Sequence, residues 1–222
     1  MIRFSKFALL AAFLFAAAFT WAQQVDVKQI ADAVDKRYNS LQSLRADFTE
    51  SYEGGGMRRV ESGTLWIRKP GQMRWEYSSP RPKLFVTDGH TAWFYVPGER
   101  QARRAQLKQL DDLRSPLRYL LGHTKLEKEF KGLSIAVDQK PSAMGDVVLR
   151  GVPVNMQDRI SEVLLEVSGG NRLARIYIEE LDGSRTVFSL ANEQDNLPVN
   201  GDHFRFRPPA GVEVMQATEL EP

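Results

Sequence analysis

The chain has 222 residues, with 30 lysines and arginines against 28 acidic residues and no cysteine. Without cysteine, the chain cannot form disulfides, a thiolate metal site, a cysteine nucleophile or a lipid-modified N-terminal cysteine. The near balance of charge does not support the basic field that a protein needs to hold nucleic acid.

Residues 1–22 have the pattern of a secretory signal peptide. Arg3 and Lys6 give a cationic start, residues 7–19 are apolar, and the segment ends on a small residue. The apolar stretch is shorter than the roughly 20 residues of a spanning helix, which leaves an uncleaved anchor as the alternative. Removal of the segment leaves 28 basic against 28 acidic residues. We expect the mature chain, residues 23–222, to be exported and to form one domain.

An amphipathic helix is predicted at the start of the mature chain. Apolar side chains recur there at spacings of three and four, at Val27, Ile30, Ala31, Val34, Tyr38 and Leu41. Asp26 precedes this stripe and is a suitable N-cap. The composition then changes to that of strands, so the helix is expected to lead directly into a sheet.

Most of the remaining chain has strand composition, with turns such as Asp88-Gly89 and Asp182-Gly183 between apolar runs. We predict strands over residues 44–52, 59–69, 73–77, 83–87, 91–96, 133–139, 147–152, 160–167, 173–181, 185–191 and 203–206. Two helices are predicted over residues 106–113 and 115–121. About ten strands with three helices indicate a mainly β (α+β) chain built on one large antiparallel sheet, curved and closed or half closed.

The segment from residue 63 to residue 97 holds three of the four tryptophans. Its alternation predicts one apolar face that is interrupted by a single cation: Leu65, Ile67, Lys69, Met73, Trp75 and Tyr77. The opposite parity is mainly polar: Trp66, Arg68, Gln72, Arg74 and Glu76. Because strands favour aromatic residues as core filling, an ordinary core and a ligand cavity both remain open at this point.

Catalytic and metal-binding patterns are missing from the sequence. His90, His123 and His203 have no partners at metal-binding spacing, and no phosphate loop or nucleophile motif occurs. We therefore expect neither an enzyme nor a cofactor. Arg103 and Arg104, in a predicted loop between strand and helix, are a candidate contact for an acidic partner surface.

Two segments, residues 63–75 (GTLWIRKPGQMRW) and 84–97 (LFVTDGHTAWFYVP), resemble the periplasmic outer-membrane lipoprotein carrier (LolA) family. The resemblance extends in order through residues 43–49, 115–121 and 204–214. It implies an unclosed antiparallel β-barrel with a lid of about three α-helices.

The resemblance also implies a function. A member would be a monomeric periplasmic chaperone that holds the acyl chains of lipoproteins in an apolar cavity. It would accept lipoproteins from an inner-membrane ABC transporter and deliver them to an outer-membrane receptor. Two alternatives on the same fold remain open: a regulatory module that senses lipids or lipoproteins, and a carrier of a non-protein lipid.

The resemblance further implies site residues. Lys69 stands where the family has an arginine that holds the lid through backbone carbonyls, so Lys69 is the expected latch. Two alternatives are that Arg68 serves as the latch and that the Lys69 side chain merely extends to solvent. The expected acyl-chain cavity is lined by Leu65, Ile67, Met73, Trp75 and Trp93, although the sequence leaves open which parity of residues 91–96 faces inward. The expected lid residues are Ile30, Val34, Tyr38, Leu41, Leu117, Leu120 and Leu121.

Overall fold

A computed structural model describes residues 26–106 and 125–217 of the chain. These residues contain two α-helices, α1 (Val27–Ser40) and α2 (Leu126–Glu129), and twelve strands. The strands are β1 (Ser43–Gly54), β2 (Met57–Arg68), β3 (Gln72–Ser79), β4 (Lys83–Asp88), β5 (Thr91–Tyr95), β6 (Gln101–Gln106), β7 (Phe130–Ile135), β8 (Val147–Pro153), β9 (Ile160–Ser168), β10 (Arg172–Glu180), β11 (Arg185–Asp195) and β12 (Glu213–Gln216). Two short 3-10 helices cover Val154–Met156 and Gly201–Phe204.

All twelve strands of the described residues belong to one sheet, in the order β12-β6-β5-β4-β3-β2-β1-β11-β10-β9-β8-β7. Strands β12 and β7 lie at the two ends of this order and do not pair with each other, so the sheet is unclosed. Neighbouring strands are antiparallel except for β12, which runs parallel to β6. The predicted mainly β fold with a single large unclosed sheet is confirmed.

Two local predictions were wrong and one strand was missed. The strand expected over residues 203–206 is replaced by the 3-10 helix Gly201–Phe204, because the Asn200 side chain accepts a hydrogen bond from the backbone N–H of Asp202 and starts a helical turn. Arg103 and Arg104 lie in strand β6, not in a loop, because the free edge of β5 pairs with this charged segment. Strand β12 was not predicted at all. The two helices expected over residues 106–113 and 115–121 lie outside the described residues, except that Gln106 ends β6.

Helix α1 forms where the apolar stripe predicts it. The side chain of Asp26 accepts a hydrogen bond from the backbone N–H of Lys28 and caps the N-terminus. The buried positions of the helix include Ala31, Val34 and Tyr38, which fall on one side because their spacings are three and four.

The strand register divides the sheet into two faces. Leu65, Trp75, Phe85 and Phe94 oppose one another in turn across β2 to β5, so they share a face. We call this the inner face, because the core cluster that it carries also contains the buried residues of α1. The outer face carries the alternate residues. One of these is Trp66, whose ring lies 5.0 Å from that of His203.

Residues 26–106 and 125–217 contain no helix that combines the length and the apolar composition needed to cross a bilayer.

Candidate functional site

Four of the five predicted cavity residues lie together on the inner face. Leu65 and Ile67 on β2 are 0% and 1% exposed, and Met73 and Trp75 on β3 are each 3% exposed. The register pairs Leu65 with Trp75 and Ile67 with Met73. The four side chains therefore form one continuous apolar surface that water does not reach. Their contact with acyl chains stays a prediction.

Aromatic rings fill the middle of this surface. The ring of Trp75 lies 4.5 Å from that of Phe48 on β1, 5.9 Å from that of Phe188 on β11 and 6.3 Å from that of Tyr77. We call these four residues the aromatic cluster. The indole N–H of Trp75 points to the sulfur of Met73 at 2.6 Å, which satisfies a donor that would otherwise be buried alone.

Trp93 does not belong to this surface, so its predicted place in the cavity was wrong. It pairs with Val86 across β4 and with Arg104 across β6, and both positions lie on the outer face. Its ring packs 5.5 Å from that of Phe206. The inner-face residue of β5 is its neighbour Phe94, which packs against the core cluster.

Helix α1 covers the inner face with the residues that the sequence predicted for a lid. Val34 and Tyr38 are 2% and 1% exposed, Leu41 at the C-cap is 5% exposed, and Ile30 packs partly buried against the same core. Leu117, Leu120 and Leu121 lie outside the described residues.

Lys69 joins strand β2 to the last turn of α1. Its ammonium group donates a hydrogen bond to the backbone carbonyl of Tyr38, one of the last four carbonyls of the helix, which also accepts from the backbone N–H of Leu41 at 3.4 Å. The partial negative charge of this helix end favours a cation there. Burial lowers the pKa of Lys69. Arg68 lies on the opposite face of β2, since neighbouring residues of a strand alternate. The contact is therefore made by Lys69, as predicted, whereas its role as a latch stays a prediction.

A second attachment of α1 was missed by the sequence analysis. Arg37 forms ion pairs at 2.9 Å with both Glu193 and Asp195 on β11. The hydroxyl of Tyr38 donates to Glu193 at 3.0 Å and accepts from the backbone N–H of Leu173 at 2.8 Å. The acidic residues alternate along their strand, but nothing in the local sequence relates them to a helix more than 150 positions earlier.

The two helices also contact each other through a cap. The carboxylate of Asp35 accepts hydrogen bonds at 3.0 and 3.2 Å from the backbone N–H of Leu126, the first residue of α2. An acidic group at a helix N-terminus is stabilised by the free N–H groups and by the helix dipole. This bond fixes the position of α2 relative to α1.

A largely buried group of charges, in which only Arg59 is half exposed, borders the inner face at the end away from Lys69. We call Glu50, Glu61, Arg59 and Lys83 the ionic cluster. Glu61 accepts hydrogen bonds from Lys83 at 2.7 Å and lies 2.9 Å from the guanidinium of Arg59. Glu50 accepts a hydrogen bond at 2.7 Å from Tyr77, and burial raises the pKa of Glu50.

The arrangement suits the burial of apolar ligands. An apolar surface lies between one cation and the ionic cluster, and a helix with polar attachments covers it. Within the described ranges, no group of three or more histidine or acidic side chains could hold a metal ion.

Comparisons with known proteins identify the family of this chain. The family model described as outer membrane lipoprotein carrier protein LolA matches residues 39–207. An outer-membrane lipoprotein carrier protein of Chromobacterium violaceum is 31% identical over 78% of this chain and 81% of its own length. Another, from Erwinia tasmaniensis, is 25% identical over 90% of this chain and 91% of its own length. The crystal structure of MucB aligns with a TM-score of 0.50 and 15% identity over 82% of this chain and 63% of MucB, a likeness of fold alone. This protein belongs to the outer-membrane lipoprotein carrier family.

Proposed function

We propose that this protein is a periplasmic carrier of acylated lipoproteins, which it accepts from an inner-membrane ABC transporter and passes to an outer-membrane receptor. The acyl chains bind between α1 and the inner face of the sheet. The protein acts as a monomer and performs no chemical step on its cargo.

The observation that carries the proposal is the contrast between the inner face and the attachments of α1. The inner face is apolar and dry at Leu65 and Trp75, which belong to the same core cluster as the buried residues of α1. The helix end is attached at its rim by polar contacts, from Lys69 and from Arg37. The Arg37–Glu193 pair is largely buried in the closed state, but opening of α1 transfers these polar groups to water, which replaces their contacts at low net cost.

The need for a carrier follows from the cost of moving acyl chains through water. Each methylene that leaves an apolar environment costs about 0.8 kcal/mol, so a chain of about 15 methylenes costs roughly 12 kcal/mol. An inner face that exchanges contact with α1 for contact with acyl chains removes most of this cost. Because the carrier contacts are reversible, direction comes from the transporter that loads it and the receptor that unloads it.

Lys69 acts in this cycle as a latch on the closed state. Its bond to the Tyr38 carbonyl supports the closed position of α1 in the absence of cargo. Acyl chains that displace the helix break this bond and replace the apolar contacts beneath it. On release of the cargo, the lysine re-forms the bond and the inner face is covered again.

The proposal is tested by lipoprotein release from proteoliposomes. Proteoliposomes with the transporter and a triacylated lipoprotein are incubated with this protein and ATP, and the soluble fraction is analysed by size exclusion. We expect a one-to-one complex of carrier and lipoprotein. The matched control is the same lipoprotein with its acylated cysteine replaced, which should form no complex. Failure to release the acylated cargo, with a transporter that hydrolyses ATP, would exclude the function.

Lipid analysis of the protein purified from its native cell separates the alternatives. A carrier of a non-protein lipid would retain that lipid and no lipoprotein. A lipid-sensing regulator would bind a regulatory protein in a lipid-dependent way and would not pass cargo to a receptor.

A further inference from the structure

The apolar part of the inner face has a definite length along strand β2. Lys69 directly follows the last residue of β2, and Glu61 of the ionic cluster lies eight residues earlier. At about 3.3 Å per residue, these two positions are about 26 Å apart. Between them the strand presents Ile67, Leu65 and Gly63 to the inner face. The charged groups at both ends therefore limit the space that is available to an apolar ligand.

The ionic cluster is a solid boundary because three of its four side chains are largely buried and internally paired, while Arg59 is half exposed at its outer side. The side chains of Glu50 and Glu61 are 8% and 6% exposed, and that of Lys83 is 12% exposed. The ammonium of Lys83 lies 4.2 Å from the centre of the Tyr77 ring, so the charges directly adjoin the aromatic cluster. The apolar surface therefore ends directly at the ion pairs, without a layer of water between them.

We infer that the ionic cluster sets the longest acyl chain that the inner face accepts, an inference that rests on the function proposed above. An acyl chain of ordinary length spans one leaflet, about 15 Å, or half of a hydrocarbon core of about 30 Å. Such a chain leaves roughly 11 Å free along β2, and only a chain of about 26 Å reaches from Lys69 to the cluster. A chain that extends farther separates Lys83 from Glu61.

The balance of the two effects determines how affinity depends on chain length. Each added methylene that is buried on the inner face raises affinity about fourfold. Separation of a buried ion pair that leaves its charges without partners lowers affinity by more than about a hundredfold. The affinity therefore rises with chain length up to the boundary and then stops rising.

The test uses synthetic diacylated lipopeptides with one peptide sequence and acyl chains from decanoyl to triacontanoyl, so that the longest chains exceed the roughly 26 Å between Lys69 and the ionic cluster. Their affinities are measured by competition against a fluorescent lipopeptide, for the wild type and for the double variant Glu61→Leu with Lys83→Met, whose folding is checked by circular dichroism. For the wild type we expect a rise and then a plateau. For the variant we expect the rise to continue beyond the wild-type plateau by at least tenfold, with the affinity for short chains unchanged.

The matched control replaces an ion pair on the outer face of the same region. Arg74 and Glu76 on β3 lie 2.6 Å apart, and the double variant Arg74→Met with Glu76→Leu should keep the wild-type plateau. A wild-type affinity that rises steadily to the longest chain overturns the inference, even if the Glu61 and Lys83 variant does not fold. The same plateau in that variant, once folded, also overturns it. Absence of binding at every length refutes the proposed function itself.

Discussion

Replacement of Lys69 by methionine isolates the contribution of one hydrogen bond to closure of α1. Methionine matches the lysine side chain as far as Cε but lacks the ammonium group that donates to the Tyr38 carbonyl. A hydrogen bond to a charged group contributes about 1.5–3 kcal/mol. Burial of the Lys69 ammonium, which also lowers its pKa, opposes part of this gain. We therefore expect the closed state to lose about 1–2 kcal/mol, which raises the open population about 5- to 30-fold.

The absence of cysteine allows a direct assay of this population. A single cysteine at Val34, which is 2% exposed on the buried side of α1, reacts with a thiol reagent only when the helix opens or the chain unfolds. A cysteine at Val86, which is 0% exposed on the outer face, reacts only on unfolding. A cysteine at Met57, which is 67% exposed, gives the reactivity of a free thiol. The Val34 rate, corrected by the other two, reports opening of the lid.

We expect Lys69→Met to raise the corrected labelling rate at Val34 and to leave the rate at Val86 unchanged. Lys69→Arg should lower the Val34 rate, because the guanidinium can bridge several carbonyls at the helix end. Arg68→Met, which removes the neighbouring cation on the opposite face of β2, is the control and should change neither rate. If Lys69→Met and Arg68→Met gave the same Val34 rate, the latch would be refuted.

Three further predictions concern stability in urea. Burial raises the pKa of Glu50 in the folded state, so its contribution to stability is present below the ordinary carboxyl pKa and is lost as the pH rises through the raised pKa. As the pH falls from 7 to about 4, the wild type should therefore become more stable relative to Glu50→Gln. Parallel profiles of stability against pH for the two proteins would contradict this. A Cβ at Gly63 would lie 1.9 Å from the backbone oxygen of Glu76, so Gly63→Ala should lower the free energy of unfolding by at least about 2 kcal/mol. The control Gly169→Ala places its Cβ in open space and should change that free energy by about 0.5 kcal/mol or less. Asp35→Ala removes the cap of α2 and should cost about 1 kcal/mol, and an unchanged urea midpoint would show that the cap is dispensable.

The sequence predicted those parts of the fold that depend on local patterns. The stripe of α1, its Asp26 cap and the alternation from Leu65 to Tyr77 are periodic signals, and each matches the observed element. The place of Trp93 could not be read in this way, because a turn precedes its strand and the inward parity depends on the register with β4.

Other features were hidden because they depend on pairing between distant segments. Strand β6 has a charged, strand-poor composition and forms because β5 and β12 supply hydrogen bonds on its two sides. Arg37 appears in the sequence as one of many exposed helix cations. Only the fold brings it to Glu193, where a buried ion pair fixes the end of α1. Such ion pairs between distant segments can be recognised only once the order of strands in the sheet is known.

The order of strands in the sheet has a consequence for how the newly made chain folds. Strand β1 leaves the ribosome early, yet one of its two neighbours is β11, the eleventh strand to appear. Pairings between segments so far apart in the chain form slowly, and they expose unpaired strand edges until they are complete. The ion pairs of Arg37 also require β11, because both acidic partners lie on that strand. A chain without β11 therefore has an unpaired strand edge at β1, in the middle of its sheet, and its first helix lacks the Arg37 attachment. The apolar interior becomes fully covered only when β11 is available to pair with β1.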